Sequence, residues 1–257
     1  MSADRPGGET DSAGIPWEGR VNDNPDADDD GTAPGAIEAI RRFRASEVGT
    51  REVLEARRAL LLPLLAVRGD EGTGPHGQLV DKTQELSIVT TAAPDGRATL
   101  VAFTSVDAMR AWDPSARPIP IQVPRIALAA AAEGTPLIVV DPVPIRPGED
   151  TIFAIRRPAF RALATGERWT PSYEDPEVLD AFLASSGREP VLVAVQLAPG
   201  DPQARLAGAE LLVQLTVHDG LPEEELRSLI ARLGERWAAD AVIAERVDSI
   251  SVVVERL

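Results

Sequence analysis

Cysteine is absent from this 257-residue chain. Disulfides, thiolate metal sites and thiol nucleophiles are excluded with it, and the fold needs no oxidising compartment. Histidine is nearly absent too. His76 and His218 stand far apart in sequence, too thin a supply for a histidine-rich metal centre or a triad built on an imidazole base. The 26 basic residues include a single lysine, Lys82, a bias of the kind a GC-rich, actinobacterial genome produces. Aromatic residues make up only 4% of the chain, so aliphatic side chains must carry the core. No run of about 18 apolar residues occurs. The opening MSADRPGGETDSAG has no charged-then-apolar signal region, and the expectation is a soluble, cytoplasmic protein.

What the chain has in abundance is negative charge. A formal net charge of −15 is the wrong sign for nucleic acid or an anionic membrane, both of which are held by Lys/Arg-rich surfaces. Seven of those charges come from residues 1–35, where nine acidic residues face two basic ones among six glycines and four prolines. That composition predicts a disordered acidic tail. Asp28-Asp29-Asp30 within it reads as solvated charge rather than as a metal site.

The clearest local signal is the stretch Glu85–Pro114. Leu86, Ile88 and Thr90 alternate with Ser87, Val89 and Thr91, a β-branched run suited to a pleated strand. Pro94-Asp95-Gly96 should reverse the chain, and Arg97 to Phe103 should return as the second strand of a hairpin. Ser105 is placed to cap a helix that stops before Asp113-Pro114. Upstream, Ile37, Ile40 and Phe43 mark a short amphipathic helix, and Thr50 is placed to cap a second one. Ala59–Val67 is an apolar run of strand length that Pro63 confines to an edge or a bulge. Gly69–Gly77 is glycine-rich, but Gln78-Leu79 stand where a P-loop needs Lys-Ser/Thr, and Asp70 and Glu71 place negative charge where a phosphate would sit; a surface loop is expected.

Downstream, Pro114, Pro118, Pro120 and Pro124 space out an edge strand. A helix follows, ending at Glu133-Gly134, and Leu137–Val140 reads as a buried strand. Thr151–Ile155 predicts another strand, and Pro158–Thr165 a short helix. Gly166–Asp175 reads as the connection between two domains. Beyond it, Asp175-Pro176-Glu177 opens a helix. Val191, Val193, Val195 and Leu197 alternate as one strand, and Leu211, Val213, Leu215 and Val217 as a second. Pro222 opens a helix with Leu226, Leu229, Ile230, Leu233 and Trp237 on one stripe. Ile250, Val252 and Val254 form a last strand, and Gly200–Gly208 is expected to be a short helical connection. The fold class expected is therefore α+β. A mixed sheet flanked by helices occupies residues 36–166, followed by a smaller β-β-α-β domain over residues 167–257.

Ala102-Phe103-Thr104-Ser105, Trp112-Asp113-Pro114 and Gly134-Thr135-Pro136 leading into Ile138-Val139-Val140-Asp141-Pro142 resemble the amino-terminal domain of the SseB family. That family is named for enhanced serine sensitivity, and its name is also used around secretion systems. The resemblance covers roughly Ala59–Phe160, and the last third is similar to the family's carboxy-terminal domain. It brings no catalytic residue set and no cofactor.

The chain's own residues offer little catalytic equipment. Ser185-Ser186-Gly187 lacks a nucleophile elbow, His218 ends a strand, and Lys82 sits in a polar stretch. Glu223-Glu224-Glu225 favours the positive end of its helix. Trp112, Trp169 and Tyr173 lie outside periodic core positions, as interface aromatics do. They are the candidate partner-contact residues; the alternative is that each ring folds down onto its own domain. The expected function is a non-catalytic binding or adaptor protein with an unknown protein partner or small ligand. A sensor or enzyme using carboxylates and arginines, and a secretion-associated protein, are the other readings.

Overall fold

A computed structural model describes residues 34–56, 59–65, 71–73, 79–81, 89–93, 96–146, 150–187 and 189–257. In chain order these form α1 (Pro34–Arg44), α2 (Thr50–Glu55), β1 (Ala59–Leu64), β2 (Glu71–Thr73), β3 (Leu79–Asp81), β4 (Thr90–Ala92) and β5 (Ala98–Ala102). Then come α3 (Val106–Trp112), β6 (Arg117–Gln122), α4 (Val123–Ala132), β7 (Leu137–Val140), β8 (Phe153–Arg156), α5 (Phe160–Thr165) and α6 (Pro176–Ser186). The chain closes with β9 (Leu192–Pro199), β10 (Leu211–Val217), α7 (Glu223–Ala239), α8 (Ala241–Arg246) and β11 (Ile250–Arg256). The fold is α+β, as expected.

The central sheet has the order β4-β5-β7-β8. β5 and β7 run parallel, and the strands flanking them are antiparallel. β1 joins through a bridge in which Leu61 and Phe103 exchange both backbone hydrogen bonds. Both faces of this sheet are covered at β5, β7 and β8, which are buried almost throughout, whereas the edge strand β4 is largely exposed. Leu60, Leu62, Leu100 and Ala102 pack into one cluster with α1, α2, α4 and α5. Leu61, Val101 and Phe103 point the other way, toward Ala108 and Met109 of α3.

The prolines find their places by the same parity. β1 pairs with β6, with Pro63 opposite Pro118 and Leu61 opposite Pro120. Because Leu61 spends its backbone groups on Phe103, positions 61 and 63 point theirs away from β6. Pro118 and Pro120 therefore sit in pairs that need no N–H, on an edge strand.

The hairpin centred on Gly96 (φ 82°) has β4 over Thr90–Ala92; Leu86–Ile88 and Pro94-Asp95 lie outside the described residues, as do residues 1–33. Thr50 is the first residue of α2 rather than its cap. Gly49 takes that place, its N–H donating to Glu52 Oε2 at 2.9 Å. Within the glycine-rich stretch expected to be a loop, Glu71–Thr73 pairs antiparallel with Leu79–Asp81. Ser105 caps α3 as expected, its Oγ accepting from Ala108 N at 3.1 Å.

The last third holds a three-stranded sheet, β11-β10-β9, with β10 antiparallel to β9 and parallel to β11. Leu211, Val213, Leu215 and Val217 are buried against Leu226, Leu229, Leu233 and Trp237 of α7 and Val178 and Phe182 of α6. Two details depart from the sequence pattern. The β9 register shifts where Thr216 faces Ala194 but Val217 faces Leu192. Val193 is the extra residue there, and it is exposed although the alternation places it inside. Residues 200–208 form no helix. The Asp201 carboxylate accepts from the amides of Arg205 (3.1 Å) and Leu206 (2.8 Å), folding the chain into a tight loop. Ala204 at its tip enters the core of the central sheet, and its carbonyl accepts from Ala154 N at 2.7 Å.

Candidate functional site

The motif residues at the carboxyl ends of the two parallel strands tie β5 to β7. Asp141 follows β7 in a left-handed conformation (φ 48°) and is fully buried. Its Oδ1 accepts from Thr104 N at 2.9 Å and its Oδ2 from Thr104 Oγ1 at 2.6 Å, while its own amide donates to Ala102 O. This aspartate closes the sheet and sets the start of α3. Its partners are internal.

The richest polar constellation lies where the central sheet meets the last third of the chain. Arg156 ends β8 with its side chain 9% exposed. Its Nη1 donates to Asp248 Oδ2 (2.9 Å) and Ser249 Oγ (3.2 Å). Its Nη2 donates to Asp201 Oδ2 (2.8 Å) and the Gly208 carbonyl (2.9 Å). Arg97, just ahead of β5, adds bonds of 2.9 and 3.0 Å to the two oxygens of Asp248. Glu210, at the foot of β10, accepts from Ser172 Oγ at 2.9 Å and from Asp248 N at 2.6 Å. Gly200 donates its amide to the Glu210 carbonyl; a Cβ there would collide with the Ala209 carbonyl oxygen. A second charged set adjoins it. Arg44 lies 2.9 Å from Asp150 and donates to the carbonyls of Gln203 and Ile152, and Arg205 also pairs with Asp150.

Arg156, Asp201 and Glu210 line a cavity of about 40 Å³ together with Thr50, Phe153, Trp169 and Tyr173, among others. Burial pushes the Glu210 carboxyl above the usual carboxylate range, against the pull of its two hydrogen bonds. Burial likewise raises the Tyr173 phenol, whose oxygen lies 3.4 Å from Thr50 Oγ1. Arg44 is pushed down to about 10 by burial and by neighbouring Arg205. The cavity therefore holds a carboxyl that protonates more readily than most, beside aromatic rings. Its size admits a water or two and no metabolite. Arg156, which would have to bind an anionic substrate, already makes four hydrogen bonds within the chain.

A larger groove, of about 370 Å³, lies between α7, α8 and β11. Its walls are Ile230, Trp237, Ile243, Val247, Ile250 and Val252, with Gly234 and Ala238 on the helix side. Its one charged residue, Asp248, is held by Arg97 and Arg156.

Of the three aromatics chosen from the sequence, Trp169 and Tyr173 meet at the small cavity and Trp112 stands elsewhere. Trp112 ends α3 and packs against Phe103, ring centroids 5.4 Å apart. Trp169 packs on the central-sheet core and its carbonyl accepts from Arg51 Nε at 2.8 Å, while Tyr173 packs on the core of the last third. All three are half-buried. His218 is exposed after β10. Ser185 Oγ accepts from Trp237 Nε1 at 2.9 Å. Glu223 and Glu224 pair with Arg227 in the first turns of α7. Lys82, His76 and Asp28-Asp29-Asp30 lie outside the described residues. Among the described residues no three histidines or carboxylates are grouped to hold a metal ion, and no helix is long and apolar enough to cross a membrane.

Sequence reasoning missed Glu210, Arg156, Asp201 and Asp248. The only local sign was a charged residue flanking each of three apolar strands, which is where charges usually sit in solvent.

The fold and its internal polar cluster define an α+β protein whose conspicuous charges are spent on its own architecture. Residues 36–146 match the family model for the SseB protein N-terminal domain, and this stretch, from α1 to the turn after β7, belongs to that family. No curated protein and no solved structure matches the chain.

Proposed function

We propose that this protein is a non-catalytic cytoplasmic binding or adaptor protein of the SseB type, its last third corresponding to the family's carboxy-terminal domain. The observation that carries the reading is the closure of the Arg156–Asp201–Asp248–Glu210 cluster. Arg156 is bonded to Asp201 and Asp248, and Glu210 to the Ser172 hydroxyl and the Asp248 amide, around a space too small for a metabolite, whereas a catalytic pocket leaves polar groups directed at a substrate. The larger concavity is apolar and offers no unengaged acid or base. Function then falls to outer surfaces. Trp112, Trp169 and Tyr173 are each half-buried and are the proposed contact residues for a protein partner. The net charge of −15 argues against nucleic acid as that partner.

One observation favours a second reading, a small-ligand sensor or enzyme. Glu210 and Tyr173, both shifted by burial, face the same cavity, and such pairs mark functional sites. Thermal melts with a panel of amino acids, nucleotides and organic acids separate the two. The adaptor reading expects no compound to raise Tm. A compound that stabilises the wild type but not Glu210→Gln overturns it in favour of the sensor or enzyme.

A further inference from the structure

Gly234 lies well inside the 17-residue helix α7, where only proline is less favoured than glycine. Neither backbone nor packing calls for it. Its φ is not positive, and a Cβ at this position would meet no atom within 4 Å. What the missing side chain leaves is space, because Gly234 forms part of the helix wall of the apolar groove between α7, α8 and β11. At about 370 Å³ this groove falls within the size range of small-molecule sites. Ile230, Ile250 and Val252 in its walls are only half-buried, so an apolar occupant has surface left to cover.

One guanidinium stands beside the groove without a carboxylate. Arg157, exposed just after β8, donates from Nη2 to the carbonyl of the groove residue Ala244 at 2.8 Å. That bond uses one of its five N–H donors, and no acidic residue pairs with it among the described residues. The carboxylates nearby are already engaged, Asp248 by Arg97 and Arg156, Glu245 by Arg161, and Asp175 by Arg246. An occupant that meets both features is apolar along its length and anionic at one end.

We propose that this groove binds a small carboxylic acid with an alkyl chain. The chain lies over Gly234 between Ile230 and Val252, and the carboxylate meets Arg157. Covering the apolar walls supplies most of the affinity. The exposed ion pair adds little and sets which end of the ligand faces Arg157. This site goes beyond the partner surface proposed above and does not depend on it. It shares no lining residue with the Glu210 cavity and includes none of Trp112, Trp169 and Tyr173.

Decanoate below its micelle concentration is the probe, titrated calorimetrically into the full-length protein. The wild type should bind it saturably, with affinity rising about fourfold per methylene from hexanoate through octanoate to decanoate. Gly234→Leu puts a side chain into the groove where nothing opposes its Cβ. This variant should keep the wild-type circular dichroism and melting temperature and lose decanoate binding. Arg157→Gln should weaken decanoate about fivefold, the upper range for an exposed ion pair, and leave binding of decanol unchanged. Glu210→Gln should bind decanoate as the wild type does, which keeps this site separate from the small cavity. A wild type that does not bind decanoate saturably overturns the proposal and leaves the groove to an apolar side chain of a protein partner. Undiminished binding by Gly234→Leu, or equal losses of decanoate and decanol in Arg157→Gln, would overturn it as well.

Discussion

Glu210 stands between Ala209 and Leu211, and nothing in that local sequence distinguishes it from a solvated charge at a strand end. Its burial comes from Ser172 and Asp248, each 38 residues away in the chain, and pairing over such separations leaves no periodic trace. The consequence is pH-dependent stability of a definite sign. Burial raises the folded pKa above the unfolded one, so between these values the folded protein binds more protons than the unfolded chain, and stability falls as pH rises through that window. Glu210→Gln preserves both contacts, its carbonyl accepting from Asp248 N and its amide donating to Ser172 Oγ. The variant should melt above the wild type at neutral pH, with the difference closing as pH falls through the raised pKa toward the ordinary carboxylate range. Melts across that range check it; a gap that widens on acidification contradicts the assignment. By contrast Ser105 and Gly96 were legible at once, because capping and positive-φ turns depend on the residue and its immediate neighbours.

Elements were readable where one face is buried and the register is regular. β10 shows this most simply, with alternate residues buried from Leu211 to Val217, and so does the stripe of α7. Reading failed where a side chain far away replaces a local rule. The 200–208 connection has the composition of a turn or short helix, but the Asp201 carboxylate captures two of its amides and Arg156 takes hold of Asp201. Val193 follows the alternation of β9 and yet is exposed, since one added residue in a ladder reverses every facing beyond it. The loop between α8 and β11 is fixed in a similar way. Asp248, its side chain 3% exposed, neutralises Arg156 from β8 and Arg97 from the start of β5. Asp248→Ala would strip Arg97 of this carboxylate and leave Arg156 with Asp201 in place of two anions, and removing one partner of a buried pair costs about 3–5 kcal/mol. Urea denaturation should show a loss near the lower figure, because Arg97 retains some solvent. A loss below about 1 kcal/mol, the range of surface pairs, would mean that the cluster does not hold the two sheets together.

For the whole molecule, the sequence was informative about class and much less so about contacts. Its apolar runs, its proline-spaced edge and its capped helices lead to an α+β fold, and the motif residues Thr104 and Asp141 that carry the family resemblance prove to be a buried tie between parallel strands. The polar cluster joining the central sheet to the last third was invisible, because Arg97, Arg156, Asp201 and Asp248 come together only when both parts are folded. This closed polar cluster, with half-buried aromatics apart from the cores' regular faces, underlies the adaptor reading. It is tested most directly by capture of partners with the tagged full-length protein, comparing the wild type with Trp112→Ala after a thermal melt has shown the variant to be folded. Trp112 is the informative position because it lies away from the small cavity, so its loss leaves the Glu210 cluster intact. The account predicts one specific protein bound by the wild type and lost from the variant. Retention of the same proteins by both, or a wild type that binds none, would contradict it.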